Sequence, residues 1–183
     1  MRSCVALFRA VNVAGHGAVA MGDLRRVLAG LGYADVVSLL QSGNLMFRCA
    51  ERSAAEAGLE IERAAASELG LSTDVFVRTR AEWDAVVAAN PFPDEAAREP
   101  AKLHVAVLRE APGAGAPAAL ADAIPGRERV RCAGRHAYLF YPEGMGRSRL
   151  TTALIERKLG TRCTCRNWNT VLRIAAALAS SGG

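Results

Sequence analysis

The stretch that decides the fold is residues 35–49, which read DVVSLLQSGNLMFRC. Residues 35–41 and 45–49 are rich in β-branched and other apolar side chains, and they flank a Ser-Gly-Asn turn at 42–44. Two such runs around a glycine-containing turn predict a β-hairpin. A hairpin that lies between two helical segments is the centre of a βαββαβ unit.

The segments on both sides of the hairpin complete that unit. Upstream, residues 4–11 predict the first strand, and apolar residues at helical spacing predict an amphipathic helix that ends near Gly32. Downstream, Ser53 and Glu56 form the pattern of a capping box that opens a second helix, and residues 73–78 predict the fourth strand.

The rest of the chain repeats this order of elements. Thr79 and Glu82 form a second capping-box pattern, and the helix that they open stops at Asn-Pro-Phe-Pro, because proline lacks the amide that a helix needs. The charged, proline-containing residues 93–101 predict a linker. Further strands are predicted at 103–107, 128–133, 136–141 and 162–165, with helices at 118–123, from near Ser148 to Gly160, and from Trp168 onward.

We therefore expect an α+β protein built from two ferredoxin-like βαββαβ units in tandem, with mainly antiparallel sheets, helices on one face and an additional C-terminal helix. The N-terminal half spans residues 1–92 and includes the linking helix. The C-terminal half spans residues 93–183 and includes the terminal helix. The two halves could also pack as one compact domain, with or without a shared sheet.

Composition excludes several classes of protein. The 183 residues are 51% hydrophobic and 22% charged, which excludes an intrinsically disordered chain, and the net charge of +5 is small for a charge-driven nucleic-acid binder. No apolar run approaches the ~18 residues of a membrane span, and no signal peptide is recognisable. We expect a soluble, cytoplasmic protein without membrane contact. The five cysteines are irregularly spaced and predict neither a disulfide framework nor a metal site, and no cofactor is expected.

The topology predicts a first polar cluster in the N-terminal half. In a βαββαβ unit, the C-terminal end of the first strand and the turn between strands two and three share one edge of the sheet. Arg9 and Asn12 should therefore lie near Gln41, Ser42 and Asn44. All five side chains can donate hydrogen bonds and none is acidic, so the cluster is a candidate anion site.

A second cluster is predicted in the C-terminal half, where strands three and four exit at one edge. The loop 144–149 should lie near residues 166–169, and both segments lead into helix N-termini, which favour anions. The candidate ligand-binding residues here are Arg147, Ser148, Arg149, Arg166, Asn167 and Asn169. The alternative is that Ser148 and Asn167 cap helices and that the arginines are solvated.

Five segments together resemble a known family nearly end to end. They are LFRAVNVAG at 7–15, QSGN at 41–44, NPF at 90–92, GRSRL at 146–150 and RNWNT at 166–170. The chain resembles the bacterial family called domain of unknown function 1697 (DUF1697), with Ala10 and Ala14 at positions where the family has glycine. The resemblance implies an intracellular α+β protein of ferredoxin-like units, and it implies no activity.

Four functions remain open. The first is a binding protein for an anionic small molecule or nucleotide that bears phosphate or carboxylate; Arg147 and Arg166 would hold the anion, and the N-terminal cluster would form a second site or the far wall. The second is an RNA-binding module, since ferredoxin-like units occur in RNA-recognition proteins. The third is an enzyme of unknown class, for which no catalytic residue can be named. The fourth is a self-associating domain such as a homodimer, because strand 137–141 is apolar on both faces.

Overall fold

The computed structural model describes residues 1–11, 19–49, 53–124 and 126–180, and it places in them a mixed α+β protein with two four-stranded antiparallel sheets. The strands are β1 (Arg2–Phe8), β2 (Ala34–Leu39), β3 (Asn44–Cys49), β4 (Val75–Thr79), β5 (Leu103–Leu108), β6 (Arg129–Ala133), β7 (His136–Phe140) and β8 (Cys163–Asn167). The α-helices are α1 (Met21–Gly30), α2 (Ala54–Leu69), α3 (Arg80–Ala88), α4 (Pro93–Arg98), α5 (Ala116–Asp122), α6 (Thr152–Leu159) and α7 (Trp168–Ser180).

The chain divides into two compact units. The first contains Met1–Asp84 and Ile174–Gly183, and the second contains Ala85–Arg173. Their sheets have the strand orders β2-β3-β1-β4 and β6-β7-β5-β8. In each sheet the first strand in the chain therefore lies between the third and the fourth, as the hairpin at 35–49 predicts. Whether the chain folds as separate halves divided after Phe92 stays a prediction.

The core of the first unit lies where α1 and α2 cover one face of its sheet. Alternate residues of β1, including Ala6 and Phe8, pack there with Leu28 of α1 and Ile61 of α2. The intervening residues of β1, such as Leu7, are equally buried. Residues on both faces of this sheet are therefore buried.

The core of the second unit explains the apolar strand at 137–141. β7 lies between β5 and β6, and every residue from Ala137 to Tyr141 is buried. The hydroxyl of Tyr138 donates to the carbonyl oxygen of Val86 at 2.7 Å, and the hydroxyl of Tyr141 donates to that of Leu150 at 3.1 Å. The lack of alternation thus reflects a central strand that is covered on both sides.

The two units repeat individual hydrogen bonds as well as the order of elements. The amide of Phe8, at the end of β1, donates to the hairpin turn at Gly43, and the amide of Leu108, at the end of β5, donates to the other hairpin turn at Arg135. In β4 and β8, Arg78 and Arg166 occupy matching places, opposite Val5 and Val105 respectively. The repetition extends to the backbone register, although the two halves share little sequence.

The helix signals in the sequence have mixed outcomes. Both predicted capping boxes form, at Ser53 with Glu56 and at Thr79 with Glu82. Residues 93–101, which were predicted as a linker, contain α4 and the start of a 3-10 turn at Pro100–Lys102. Helix α6 opens at Thr152 with Thr151 as its cap, so the predicted start at Ser148 is wrong.

Candidate functional site

Three chain segments meet at one end of the first sheet, which we call the N-terminal rim. The amide of Phe8 donates to Gly43 at 2.8 Å, and the amide of Arg9 donates to Asp74 at 3.0 Å. These bonds join the end of β1 to the β2–β3 turn and to the segment before β4. The rim comprises Arg9, Gln41, Ser42, Gly43, Asn44, Thr73 and Asp74. Asn12, which the sequence also placed here, lies outside the described residues.

The Gln-Ser-Gly-Asn segment forms the turn of the rim. Gly43 has a φ of +70°, and a β-carbon on it would lie 3.0 Å from the β-carbon of Phe8, so the turn requires glycine. Asn44 is fully buried, and its amide nitrogen donates to the carbonyl oxygen of Leu39 at 3.1 Å and to the hydroxyl of Ser42 at 2.9 Å. Both hydrogens of that amide group are thereby used within the turn. Asn44 shapes the rim and is not a ligand donor.

Arg9 lies at the rim beside a carboxylate that the sequence analysis did not place there. Its guanidinium is 3.4 Å from the carboxylate of Asp74, and the two side chains are 26% and 24% exposed. The hydroxyl of Thr73 donates to the carbonyl oxygen of Arg9 at 2.7 Å and fixes the backbone. Gln41 and Ser42 are exposed in the turn at the same end of the sheet. The expectation of a cluster without acidic groups is therefore wrong.

The predicted C-terminal cluster has the expected strand arrangement. β7 and β8 both run antiparallel to β5, and Phe140 and Asn167 lie opposite Leu103 and His104 at the start of that strand. The exits of β7 and β8 therefore share one end of the sheet, as predicted. β6 and β8 are the two edge strands, so three strand spacings, or about 14 Å, separate them.

The loop after β7 runs toward the β6 edge. The hydroxyl of Ser148 donates to the carboxylate of Glu128, which directly precedes β6, and accepts from the amide of Leu150 at 3.0 Å. Arg147 and Arg149 are exposed on this loop. Ser148 is thus bound to an acidic side chain at the β6 edge of the sheet, and β8 forms the other edge.

Arg166 is directed along its own strand. It is 8% exposed, and its guanidinium donates to the hydroxyl of Thr164 at 2.8 Å and to the carbonyl oxygen of Cys165 at 2.9 Å. Burial lowers the pKa of Arg166 to about 10. These two bonds hold the guanidinium against its own strand, and a shared anion pocket between Arg147 and Arg166 stays a prediction.

Asn167 and Asn169 belong to the start of α7. The side-chain oxygen of Asn167 accepts from the amide of Asn169 at 3.0 Å, and its amide nitrogen donates to Ala101 at 2.8 Å. The first bond is the cap that the alternative interpretation predicts for Asn167. Asn169 is exposed.

A small cleft of about 150 Å³ in the second unit was not foreseen. Its lining residues are Asp94, Glu95, Arg98, Glu99, Arg129 and Phe140. The guanidinium of Arg129 lies 5.1 Å from the ring centre of Phe92 and 4.9 Å from that of Phe140, and it pairs with Glu95. This arginine lowers the pKa of Glu95. The cation is held by two aromatic rings and a carboxylate, so the cleft joins α4 to the sheet and offers no net positive charge.

The Asn-Pro-Phe segment prepares that contact. After α3 ends at Ala88, the side-chain oxygen of Asn90 accepts from the amide of Phe92 at 3.0 Å, and the ring of Phe92 lies under the guanidinium of Arg129. The asparagine and proline predict the end of the helix, but the sequence does not reveal that Phe92 contacts Arg129.

Metal and membrane chemistry can be addressed for the part of the chain that the structure describes. No group of three or more His, Cys, Asp or Glu side chains is arranged there to hold a metal ion. Among the same residues, no helix combines the length and the hydropathy that crossing a bilayer requires.

Two antiparallel four-stranded sheets in a mixed α+β chain define the class of protein. The chain belongs to the family described as "Protein of unknown function (DUF1697)", whose model matches residues 1–138. The first three motifs of the sequence analysis lie within that match, and those at 146–150 and 166–170 lie beyond it.

A solved structure shares this architecture. It is described as "conserved bacterial protein SP0830 from Streptococcus pneumoniae", and it superimposes with a TM-score of 0.75 at 21% identity, covering 97% of this chain and 98% of that one. This similarity shows the fold alone. No curated protein matches the chain.

Proposed function

We propose that the protein binds a small anionic ligand, bearing phosphate or carboxylate, at the N-terminal rim. The observation that carries this proposal is the meeting of two family motifs at one place: the segment around Arg9 and the Gln-Ser-Gly-Asn turn are joined by the bond from Phe8 to Gly43. A guanidinium, an exposed amide at Gln41 and an exposed hydroxyl at Ser42 then lie at the same sheet end. These are the donor types that recognise oxyanions.

Asp74 does not prevent such binding. Its carboxylate lies 3.4 Å from the guanidinium of Arg9, and both side chains are partly exposed; ion pairs of that kind contribute about 0–1 kcal/mol. An oxyanion that accepts two bonds from the guanidinium gains more, because bidentate charge-assisted bonds are stronger. Asp74 would then be the group that a ligand displaces from Arg9.

The test compares Arg9→Ala with a matched control. Arg26→Ala removes an arginine of the same unit that is 76% exposed and paired with Asp23, so both variants lose one surface ion pair and one positive charge. Thermal shift and calorimetry with inorganic phosphate, citrate and adenosine monophosphate are the measurements. We expect at least one probe to stabilise the wild type and Arg26→Ala, and we expect Arg9→Ala to lose about tenfold or more in affinity. Equal responses in all three proteins, or no response at millimolar probe, would contradict the proposal.

Asp74→Asn is expected to change the affinity for the anion in the opposite direction to Arg9→Ala. Removing the carboxylate abolishes the competition for Arg9, so affinity for the responding probe should rise several-fold while the side chain keeps its size. A loss of affinity in this variant would mean that Asp74 orients Arg9, and competition would be the wrong description.

We further infer that each unit is a ferredoxin-like βαββαβ unit. The order of elements in each half and the strand orders β2-β3-β1-β4 and β6-β7-β5-β8 support this, since all neighbouring strands are antiparallel and a helix joins the first strand to the second and the third to the fourth. The cytoplasmic location and the homodimer stay predictions.

RNA binding receives less support than anion binding. RNA-recognition modules of this topology use an exposed sheet face on which bases stack. In both sheets, central-strand residues on the two faces are buried, as at Leu7 and Phe8 of β1 and at Tyr138 and Leu139 of β7.

A further inference from the structure

Two buried cysteines of the first unit lie in direct contact. The sulfur atoms of Cys4 in β1 and Cys49 in β3 are 3.2 Å apart, and the side chains are 0% and 2% exposed. Cys4 lies opposite Phe47 and Cys49 lies opposite Arg2, so the two cysteines are diagonal neighbours on the face that packs on α1 and α2. Both thiols are free.

The geometry needs little change to become a covalent bond. A disulfide has an S–S distance of about 2.05 Å, so each sulfur would move by about 0.6 Å from the 3.2 Å contact. Both cysteines lie on neighbouring strands in regular register, which holds their backbones at fixed separation. A disulfide also requires the two β-carbons to lie about 3.5–4.5 Å apart, so closure combines adjustment of the side-chain torsions with a shift of the strand ends, where Arg2 and Cys49 are the last pair of the ladder.

We propose that Cys4 and Cys49 form a reversible intramolecular disulfide when the folded protein meets a two-electron thiol oxidant of the peroxide class. One thiol attacks the O–O bond of hydrogen peroxide, which gives a sulfenic acid and releases one water. The second thiol displaces the hydroxyl of that sulfenic acid, which forms the S–S bond and releases a second water. The two cysteines lose two electrons and two protons, and the peroxide takes up both.

The burial of the pair sets its rate of reaction. Desolvation, together with the hydrogen bond between Cys4 and Cys49, raises the pKa of Cys4 to about 12, so at neutral pH this thiol is protonated and a poor nucleophile. The oxidant reaches the pair when the strand ends open. Once one sulfur is oxidised, the other is already within contact distance, so closure of the disulfide is fast compared with attack on any distant thiol.

A second pair in the chain serves as an internal comparison. Cys163 and Cys165 lie two residues apart on β8, and Arg166 and Thr152 act with Cys163 to lower the pKa of Cys165. Because a lowered pKa favours the thiolate, we expect Cys165 to react first. Its oxidation can be measured separately from that of Cys4 and Cys49, because trypsin places it in a different peptide. Cleavage after arginine places Cys4 in residues 3–9, Cys49 in residues 49–52, and both cysteines of β8 in residues 163–166.

The experiment oxidises the native wild-type protein with hydrogen peroxide, blocks remaining thiols with N-ethylmaleimide in guanidinium, and identifies tryptic peptides by mass spectrometry. The expected result is a linked pair of peptides 3–9 and 49–52 that dithiothreitol separates. Native protein oxidised in this way should also unfold at a higher temperature, because the cross-link restrains the unfolded chain. The same treatment of guanidinium-unfolded protein should give mixed pairings.

Two variants complete the test. Cys165→Ser should keep the 3–9 and 49–52 link, whereas Cys49→Ser should abolish it and leave Cys4 reactive with maleimide after unfolding. Since the main measurement uses the wild type, it stands even if Cys49→Ser folds poorly. The proposal is overturned if folded protein retains both Cys4 and Cys49 as free thiols after peroxide has consumed Cys165, or if either one is found joined to a different cysteine.

Discussion

The buried side chain of Asn44 holds a turn in place through two hydrogen bonds, and Gly43 beside it allows the turn to approach β1. Each residue serves a purpose that the local sequence only partly reveals. A Ser-Gly-Asn turn is visible in the sequence, but the acceptor on Leu39 depends on the backbone of Leu40, which has a φ of +60°. Polar side chains could therefore be located at the rim before their partners were known.

The two hairpin turns allow a direct test of the close approach at Gly43. Gly43→Ala places a β-carbon 3.0 Å from that of Phe8 at a φ of +70°, whereas Gly134→Ala meets only open space at a φ of +53°. We expect losses in the free energy of unfolding of about 2–3 kcal/mol for Gly43→Ala and about 1 kcal/mol for Gly134→Ala. Urea denaturation measures both. Equal losses would show that the positive φ alone, without the contact to Phe8, explains why glycine is required at position 43.

At the scale of elements, the same kind of bond joins a helix to the last strand in both units. Glu62 of α2 accepts from the amide of Val75 at 2.7 Å, and Glu156 of α6 accepts from that of Cys163 at 2.8 Å. Each glutamate therefore satisfies the first amide of a strand and fixes the helix along that strand. Neither bond is visible as a motif, because 13 residues separate the partners in one unit and seven in the other.

Removal of these carboxylates should weaken both units. We expect Glu62→Ala and Glu156→Ala each to lose about 1–3 kcal/mol in the free energy of unfolding, since a strand amide is left without its acceptor. Glutamine at either position retains a carbonyl oxygen and should lose less. Exposed Glu68 on α2 is the control, and Glu68→Ala should change stability by less than about 0.5 kcal/mol in the same urea titration. A Glu62→Ala variant as stable as that control would refute the assigned contact.

Most helices and strands could be predicted from the sequence, because the spacing of apolar residues and the capping residues are both visible within a short stretch of chain. The stretch 93–101 could not, since proline both stops a helix and starts one: Pro93 lies at the first position of α4, where its missing amide costs nothing. The start of α6 was misplaced for a similar reason. Ser148 and Thr151 are both good caps in sequence, and Ser148 is instead bound to Glu128, which is distant along the chain.

At the scale of the whole molecule, the course of loops decides which predicted clusters form. The N-terminal rim assembles because backbone hydrogen bonds join its segments directly. In the C-terminal half, Ser148 is bound to Glu128 beside β6 and Arg166 to Thr164 on β8, and an anion site formed by the two segments stays a prediction. Strand order could be predicted from topology, whereas the direction of a buried arginine and of an irregular loop depends on long-range partners.

The covered sheets and the modest charge lead to a prediction for nucleic acids. With a net charge of +5 and buried central strands on both faces, the protein should bind single-stranded RNA only through scattered surface cations. Such binding releases counterions and should be lost between about 50 and 200 mM salt. Fluorescence anisotropy of a labelled oligonucleotide measures this. Sub-micromolar binding that persists at 200 mM salt would instead establish a specific RNA site.

The ion pair at the rim has a consequence for selectivity. Because Arg9 already has a carboxylate neighbour in Asp74, an anion bound at the proposed site would replace one counter-ion with another, and only the difference between the two pairings would contribute to its affinity. Bulk charge attraction is largely cancelled by this arrangement. Spherical halides, which cannot match the planar fork of a guanidinium, gain little from the exchange, and flat or tetrahedral oxyanions gain most.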